Sequence, residues 1–243
     1  MLVDNKFIIV SLPRCASTSF YISCLRDGIS TLHFDESIHT KMKSNIDLNM
    51  DNETLANVLF HSHEKLTDLK SKFGYDYDVI AIKRDRHQRF ISVWKHIIDM
   101  VDMGYPPQIS EQLKSLTLDD ILFYSSYDLL SPDGEQRILK IFEKTLDIGV
   151  YFDEYLKNML LILIRPISYW HNHYPNIKWF DFDKLYELEK WVSDKLGKPF
   201  KLQASNGSQH FETKLILSNE FVNKYDSIYN YYDLDIKIAK TII

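Results

Sequence analysis

The sequence predicts an α/β protein in which a central, mostly parallel sheet is flanked by helices in three layers, with residues 1–243 forming one domain. Two short apolar runs carry that prediction. Phe7 to Val10 (FIIV) and Asp78 to Lys83 (DVIAIK) are too short for helices and rich in β-branched residues, so both read as buried strands. Each passes at once into a polar loop and then into a segment with helical spacing, the pattern of parallel strands joined by helical crossovers. In doubly wound sheets ligands sit at the carboxyl ends of the strands, so the two loops are expected to open onto one edge.

In chain order, Pro13 ends the first strand because it has no N–H to give to a ladder. Ser17, Thr18 and Ser19 follow, and Phe20, Cys24 and Leu25 then fall on one helical face. Residues 30–34 read as a short strand, 35–52 as polar surface chain and 53–59 as a helix. Lys65 to Phe73 has amphipathic helical spacing. After the DVIAIK strand, Arg84 to Gln88 reads as a charged turn, and Phe90, Val93, Trp94, Ile97 and Val101 repeat at core spacing along a helix. Helical periodicity recurs near 108–124, 134–147 and 151–164, punctuated by Pro106-Pro107, by Ser131-Pro132-Asp133-Gly134 and by Pro166. Lys178 to Phe182 reads as a further strand. A helix over Lys184 to Leu196 closes at Gly197, Ser205 to Lys214 is a polar loop, and Glu220 to Ile238 is helical.

Bulk properties narrow the function. A chain of 243 residues with 45% hydrophobic and 26% charged residues has the balance of an ordinary globular protein. Its net charge of -5 argues against a general nucleic-acid binder while leaving room for a local basic pocket. No apolar run reaches membrane-spanning length and no signal peptide is visible, so a cytoplasmic protein without a membrane partner is expected. Cys15 and Cys24 stand on either side of one helix, separated by roughly 13 Å of helical rise, too far for a disulfide and consistent with reduced thiols.

Chemistry concentrates in the two strand-to-helix loops. A helix N-terminus gathers unpaired N–H groups and partial positive charge, and here it is joined by three hydroxyls and Arg14, a combination suited to phosphate or sulfate. An ordinary turn capped by Ser17 is the competing reading. The Walker pattern is absent, which argues against an NTP-hydrolysing loop or a P-loop kinase. The second loop has the form R-D-x-x-x-R-x-x-S-x-W, with Arg84, Asp85, Arg89, Ser92 and Trp94 at the fixed positions. Arg84 leaves a strand end and Ser92 lies about one turn into a helix, a planar fork and a neutral donor suited to one phosphate dianion.

Together these motifs resemble those of sulfotransferases that use 3′-phosphoadenosine 5′-phosphosulfate (PAPS). The family's first motif, P-K-x-G-[ST]-[ST]-[ST], is matched by Pro13-Arg14-Cys15-Ala16-Ser17-Thr18-Ser19, and its second, R-[DN]-P-x-x-R-x-x-S-x-[YW], by Arg84 to Trp94. Arg14, Ala16 and Arg86 stand where the family usually has lysine, glycine and proline. Phe60-His61-Ser62-His63 resembles the H-x-H segment of the uronyl 2-O-sulfotransferase branch, Trp179 to Leu185 the family's late strand, and Tyr231 to Asp235 its C-terminal region.

The resemblance implies a P-loop-like fold, PAPS as sulfuryl donor and 3′-phosphoadenosine 5′-phosphate as product. It places Arg14, Cys15, Ala16, Ser17, Thr18 and Ser19 at the 5′-phosphosulfate, with Arg84 and Ser92 at the 3′-phosphate. Arg14 would also act in catalysis at the bridging oxygen. His63 is the favoured base for a hydroxyl acceptor, with His61 as alternate or partner and Glu64 as a lesser candidate. Ser208, His210 and Lys214 would form a lid.

The acceptor, whether small molecule, carbohydrate or peptide, is not encoded in any motif, and residues 104–175 would select it. Two other readings stand beside this one. His61-x-His63 and His171-x-His173 suit a zinc hydrolase, although the sulfotransferase reading needs no metal. A non-catalytic nucleotide-binding protein of the same fold is the other.

Overall fold

A sharp turn at Asp4 and Asn5 sets the topology of the sheet. Both residues are left-handed, with φ of 48° and 51°, and the Lys6 amide donates to the Val3 carbonyl at 2.9 Å. Asp and Asn tolerate this conformation, and positive φ at both central residues suits the twist of an antiparallel pair. Strand β1 (Leu2–Val3) therefore folds back on β2 (Phe7–Val10), and β3 (Thr31–Leu32) pairs antiparallel with β1 on its other side. β2, β4 (Asp78–Lys83) and β5 (Ile177–Asp181) are mutually parallel neighbours, giving the order β3-β1-β2-β4-β5. The protein is thus α/β as expected, but its sheet is mixed rather than mostly parallel. A two-residue strand shows no periodicity, and the reversal that creates it is encoded only by Asp4-Asn5.

The computed structural model describes residues 1–34, 63–125, 133–147, 149–203 and 216–239. They fall in two compact units, Met1–Arg89 with Trp170–Gly207, and Phe90–Tyr169 with Ser208–Ile243. The first holds the whole sheet. Its β2 is buried along its full length and β4 at every interior position, as expected for strands covered on both faces. Helix α1 (Ser17–Arg26) buries Phe20, Tyr21, Ile22 and Cys24, and α2 (Leu66–Phe73) buries Leu66 and Leu69.

The helix after β4, α3 (Arg86–Gly104), starts two residues after the strand, so the charged turn expected over Arg84 to Gln88 is only Arg84-Asp85. The second unit follows with α4 (Pro107–Lys114), α5 (Leu118–Ser125), α6 (Gly134–Leu146) and α7 (Glu154–Ile164). One helix expected near 108–124 is therefore two. Thr117 breaks it by starting a new one: its amide donates to the Asp120 carboxylate at 2.8 Å and its Oγ1 accepts from the Asp120 amide at 3.1 Å.

A short helix α8 (Ser168–His171), not anticipated from the sequence, precedes β5, and α9 (Leu185–Leu196) ends at Gly197 with φ 72°, as the C-terminal glycine predicts. Trp191 of α9 packs its ring edge on Phe7, 5.0 Å between centroids. In the second unit Phe90, Ile121, Phe142, Leu156, Leu160, Phe221 and Tyr225 form a continuous core that α10 (Asn219–Ala239) completes. Arg165, nearly buried, pairs with Glu135 through two 2.7 Å hydrogen bonds, the bidentate geometry that makes such a buried pair tolerable. Among the described residues no helix is long and apolar enough to cross a membrane.

Candidate functional site

Parallel pairing of β2, β4 and β5 puts their carboxyl ends, and the chain that leaves them, at one edge of the sheet in the first unit. After β2 the chain is strained. Arg14 and Ala16 adopt φ of 61° and 57°, a left-handed conformation that costs a non-glycine residue about 1 kcal/mol or more. Ala16 holds the N-cap position of α1, so no side chain caps that helix, and its carbonyl accepts the Phe20 amide at 2.9 Å. Cys15 between them does not have positive φ, so left-handed residues stand on both sides of it.

Cys15 itself turns inward, 1% exposed, with its amide donated to Leu12 at 3.3 Å. Burial pushes its thiol pKa up against the opposing pull of Arg89, Arg84 and Arg14, so this cysteine is a packing residue amid positive charge. Both cysteines are free thiols. Ser17 is buried, and Thr18 and Ser19 are half-buried on the first turn.

The second junction is built conventionally. Asp85 accepts the Gln88 amide on its side chain at 2.9 Å and the Arg89 amide on its carbonyl at 2.8 Å, which caps α3. Its arginines turn toward the first loop: Arg84 Nη1 donates to the Arg14 carbonyl at 3.4 Å, and Arg89 Nε donates to the Pro13 carbonyl at 3.2 Å. Arg89 is 2% exposed, and its Nη2 is buried with no hydrogen-bonding partner among the described residues. A buried cationic donor left unmatched is costly, and a bound anion is one way to satisfy it. Arg89 was visible in the sequence only as a motif position five residues after Arg84, with nothing to assign it a role.

His63 belongs to the same neighbourhood. Its Nδ1 lies 2.7 Å from the Ser11 carbonyl at the end of β2. A carbonyl only accepts, so Nδ1 carries the proton and Nε2 is the basic nitrogen of the neutral ring. The ring meets the edge of Trp170 at 5.8 Å. Burial lowers the His63 pKa to about 4; the Ser11 bond opposes that, while Arg89 and Arg14 reinforce it. Glu64 faces elsewhere, accepting the Phe34 amide at 2.6 Å and lying 3.5 Å from both His33 Nδ1 and the Met1 α-amino group.

The remaining sequence candidates divide. Ser92 belongs to the second unit, buried on α3. His61, Ser208, His210 and Lys214 lie outside the described residues. His171 and His173 sit with ring centroids 5.8 Å apart, and burial, followed by His173, lowers the His171 pKa to about 4. Among the described residues no group of three or more His, Cys, Asp or Glu is arranged to hold a metal ion.

No family model, curated protein or solved structure matches this chain. Its functional reading therefore rests on the residues themselves. What they assemble in the first unit is three arginines around a strained loop, beside a histidine held neutral with its basic nitrogen defined. Such a cluster is suited to an anionic ligand and to accepting a proton.

Proposed function

We propose that this protein is a sulfotransferase that moves a sulfuryl group from PAPS to a hydroxyl acceptor on a P-loop-like fold. The observation that carries the reading is the pair of hydrogen bonds from Arg84 and Arg89 into the Arg14 and Pro13 carbonyls. They join the two loops that the sequence singles out for the two ends of one bisphosphorylated adenosine. The buried, unmatched Nη2 of Arg89 fits an anionic group at this junction. When bound, PAPS supplies an activated sulfuryl group on a phosphate leaving group.

The protein's part is positioning and charge, by analogy with phosphoryl transfer. Arg14 holds the bridging oxygen as its charge grows, and the first turn of α1 with Ser17, Thr18 and Ser19 holds the 5′ end. Arg84 holds the 3′-phosphate. His63 Nε2 takes the acceptor's proton while Nδ1–H stays on Ser11, so the ring keeps its orientation through the transfer. A pKa of about 4 makes a weak base. His63 would become more basic where bound negative charge offsets Arg14 and Arg89.

The test is a screen of small-molecule, carbohydrate and peptide acceptor pools with labelled PAPS, read by mass spectrometry of the product. Calorimetric titration with 3′-phosphoadenosine 5′-phosphate accompanies it. Binding with transfer to an acceptor is the expected result. Binding without any transfer favours a non-catalytic nucleotide-binding protein, and no binding removes the proposal.

A further inference from the structure

β4 and β5 are parallel and in register at their last residues, Lys83 opposite Asp181, with Lys83 Nζ 3.1 Å from Asp181 Oδ1. The next residue of each strand therefore leaves the sheet at the same level. These residues are Arg84 and Phe182, and the Arg84 guanidinium carbon stands 4.5 Å from the centre of the Phe182 ring. Phe182 is half-buried and opens the short 3₁₀ turn Phe182–Lys184.

We propose that Phe182 is a positioning residue for recognition of the nucleotide's 3′-phosphate, acting through Arg84; this rests on the nucleotide reading above. An arginine side chain is long and loses rotamer freedom when fixed, and it binds a phosphate through two in-plane N–H groups only when its plane is correctly turned. The Arg84 guanidinium lies over the Phe182 ring while Nη1 is held on the Arg14 carbonyl. Together they restrict the guanidinium, so that its other N–H groups meet the phosphate from a fixed position. The strand register sets the geometry, so it exists before ligand arrives and less ordering accompanies binding. Asp181-Phe182 thus works as a pair: the carboxylate occupies Lys83, and the ring is left for Arg84.

Calorimetry with wild type, Phe182→Leu and Phe182→Tyr tests this, using 3′-phosphoadenosine 5′-phosphate and adenosine 5′-phosphate, which lacks the 3′ group. Phe182→Leu is expected to weaken binding of the bisphosphate by roughly 3- to 10-fold with little change for the monophosphate, while Phe182→Tyr keeps the wild-type ratio. Equal losses for both nucleotides would mark the ring as merely structural and overturn the proposal, as would no loss for either. Should wild type bind neither nucleotide, the nucleotide reading itself fails, a result separate from any effect of Phe182.

If Phe182→Leu does not fold, NMR of the wild-type protein decides. The Arg84 side-chain resonances, assigned through Arg84→Lys, are expected to show an upfield ring-current displacement that persists when the bisphosphate binds. Its absence in the bound state overturns the proposal.

Discussion

The two strand-to-helix junctions of the first unit solve the same structural problem in opposite ways. After β4 the turn is two residues long, Asp85 caps the helix with side chain and carbonyl, and no residue there has positive φ. After β2 the turn is longer, two non-glycine residues are left-handed, and the N-cap position holds an alanine that offers no side-chain bond. A capped helix N-terminus has spent its first donors on the protein. One begun by Ala16 has no such side chain, and the loop before it is steadied from outside, by guanidinium groups of the conventional junction. Strain and a missing cap at one junction, with support supplied by the other, is the division expected where backbone is shaped for a ligand rather than for stability.

That contrast can be broken experimentally, beginning with the largest effect. Replacing His63 by Ala is expected to lower sulfuryl transfer by roughly 10²- to 10⁴-fold while nucleotide affinity changes little, measured by product formation from labelled PAPS beside calorimetry. On the proposed reading, replacing Arg84 by Ala removes a charge-assisted contact and is expected to weaken 3′-phosphoadenosine 5′-phosphate binding by about 10- to 100-fold. Lysine at the same position should restore only part of it.

The acid limb of stability sharpens the first-junction side. The His63 pKa of about 4 in the folded protein lies below its ordinary 6.5, so the unfolded chain takes up that proton first. The resulting stability is fully present above pH 6.5 and is lost as pH falls toward 4. Denaturant titrations across that window should show a shallower decline for His63→Gln than for wild type, with His171, also at about 4, contributing separately.

Smaller effects separate the junctions by their caps. Asp85→Ala should destabilise by about 1 kcal/mol, seen as a lower Tm with nucleotide affinity largely kept. Ala16→Gly should go the other way. Glycine relieves the left-handed strain at the cost of more chain entropy on folding, for a net gain of under about 1 kcal/mol in a thermal melt. A loss of stability there would show that the first junction is not strained.

How much of this was legible in the sequence differs between fold and site. The strands Phe7–Val10 and Asp78–Lys83, the helix from Ser17 and the glycine stop at Gly197 follow from local pattern, and the structure has them. β1 leaves no signal in the sequence because two residues make no period, and the antiparallel half of the sheet depends on it. The break between α4 and α5 was written in Thr117-x-x-Asp120, a capping signal that an uninterrupted helical period concealed.

In the site, residue type and spacing mark Arg14 and Arg84, while His63 is marked by the family resemblance. The role of Arg89 is not legible locally, because its bond to Pro13 joins positions 76 residues apart. The His63 tautomer was equally invisible, since it depends on the Ser11 carbonyl 52 residues away.

The sequence by itself determined the longer strands and most of the helices, because periodicity and caps act over a few neighbouring residues. It also determined that cations and hydroxyls gather at two strand ends. Only the tertiary structure decided that the sheet is mixed, that the second loop's arginines brace the first, and that Phe182 lies under Arg84. Those outcomes depend on strand register and on contacts between residues far apart in the chain, where the directional demands of hydrogen bonds and rings select partners that no local pattern names.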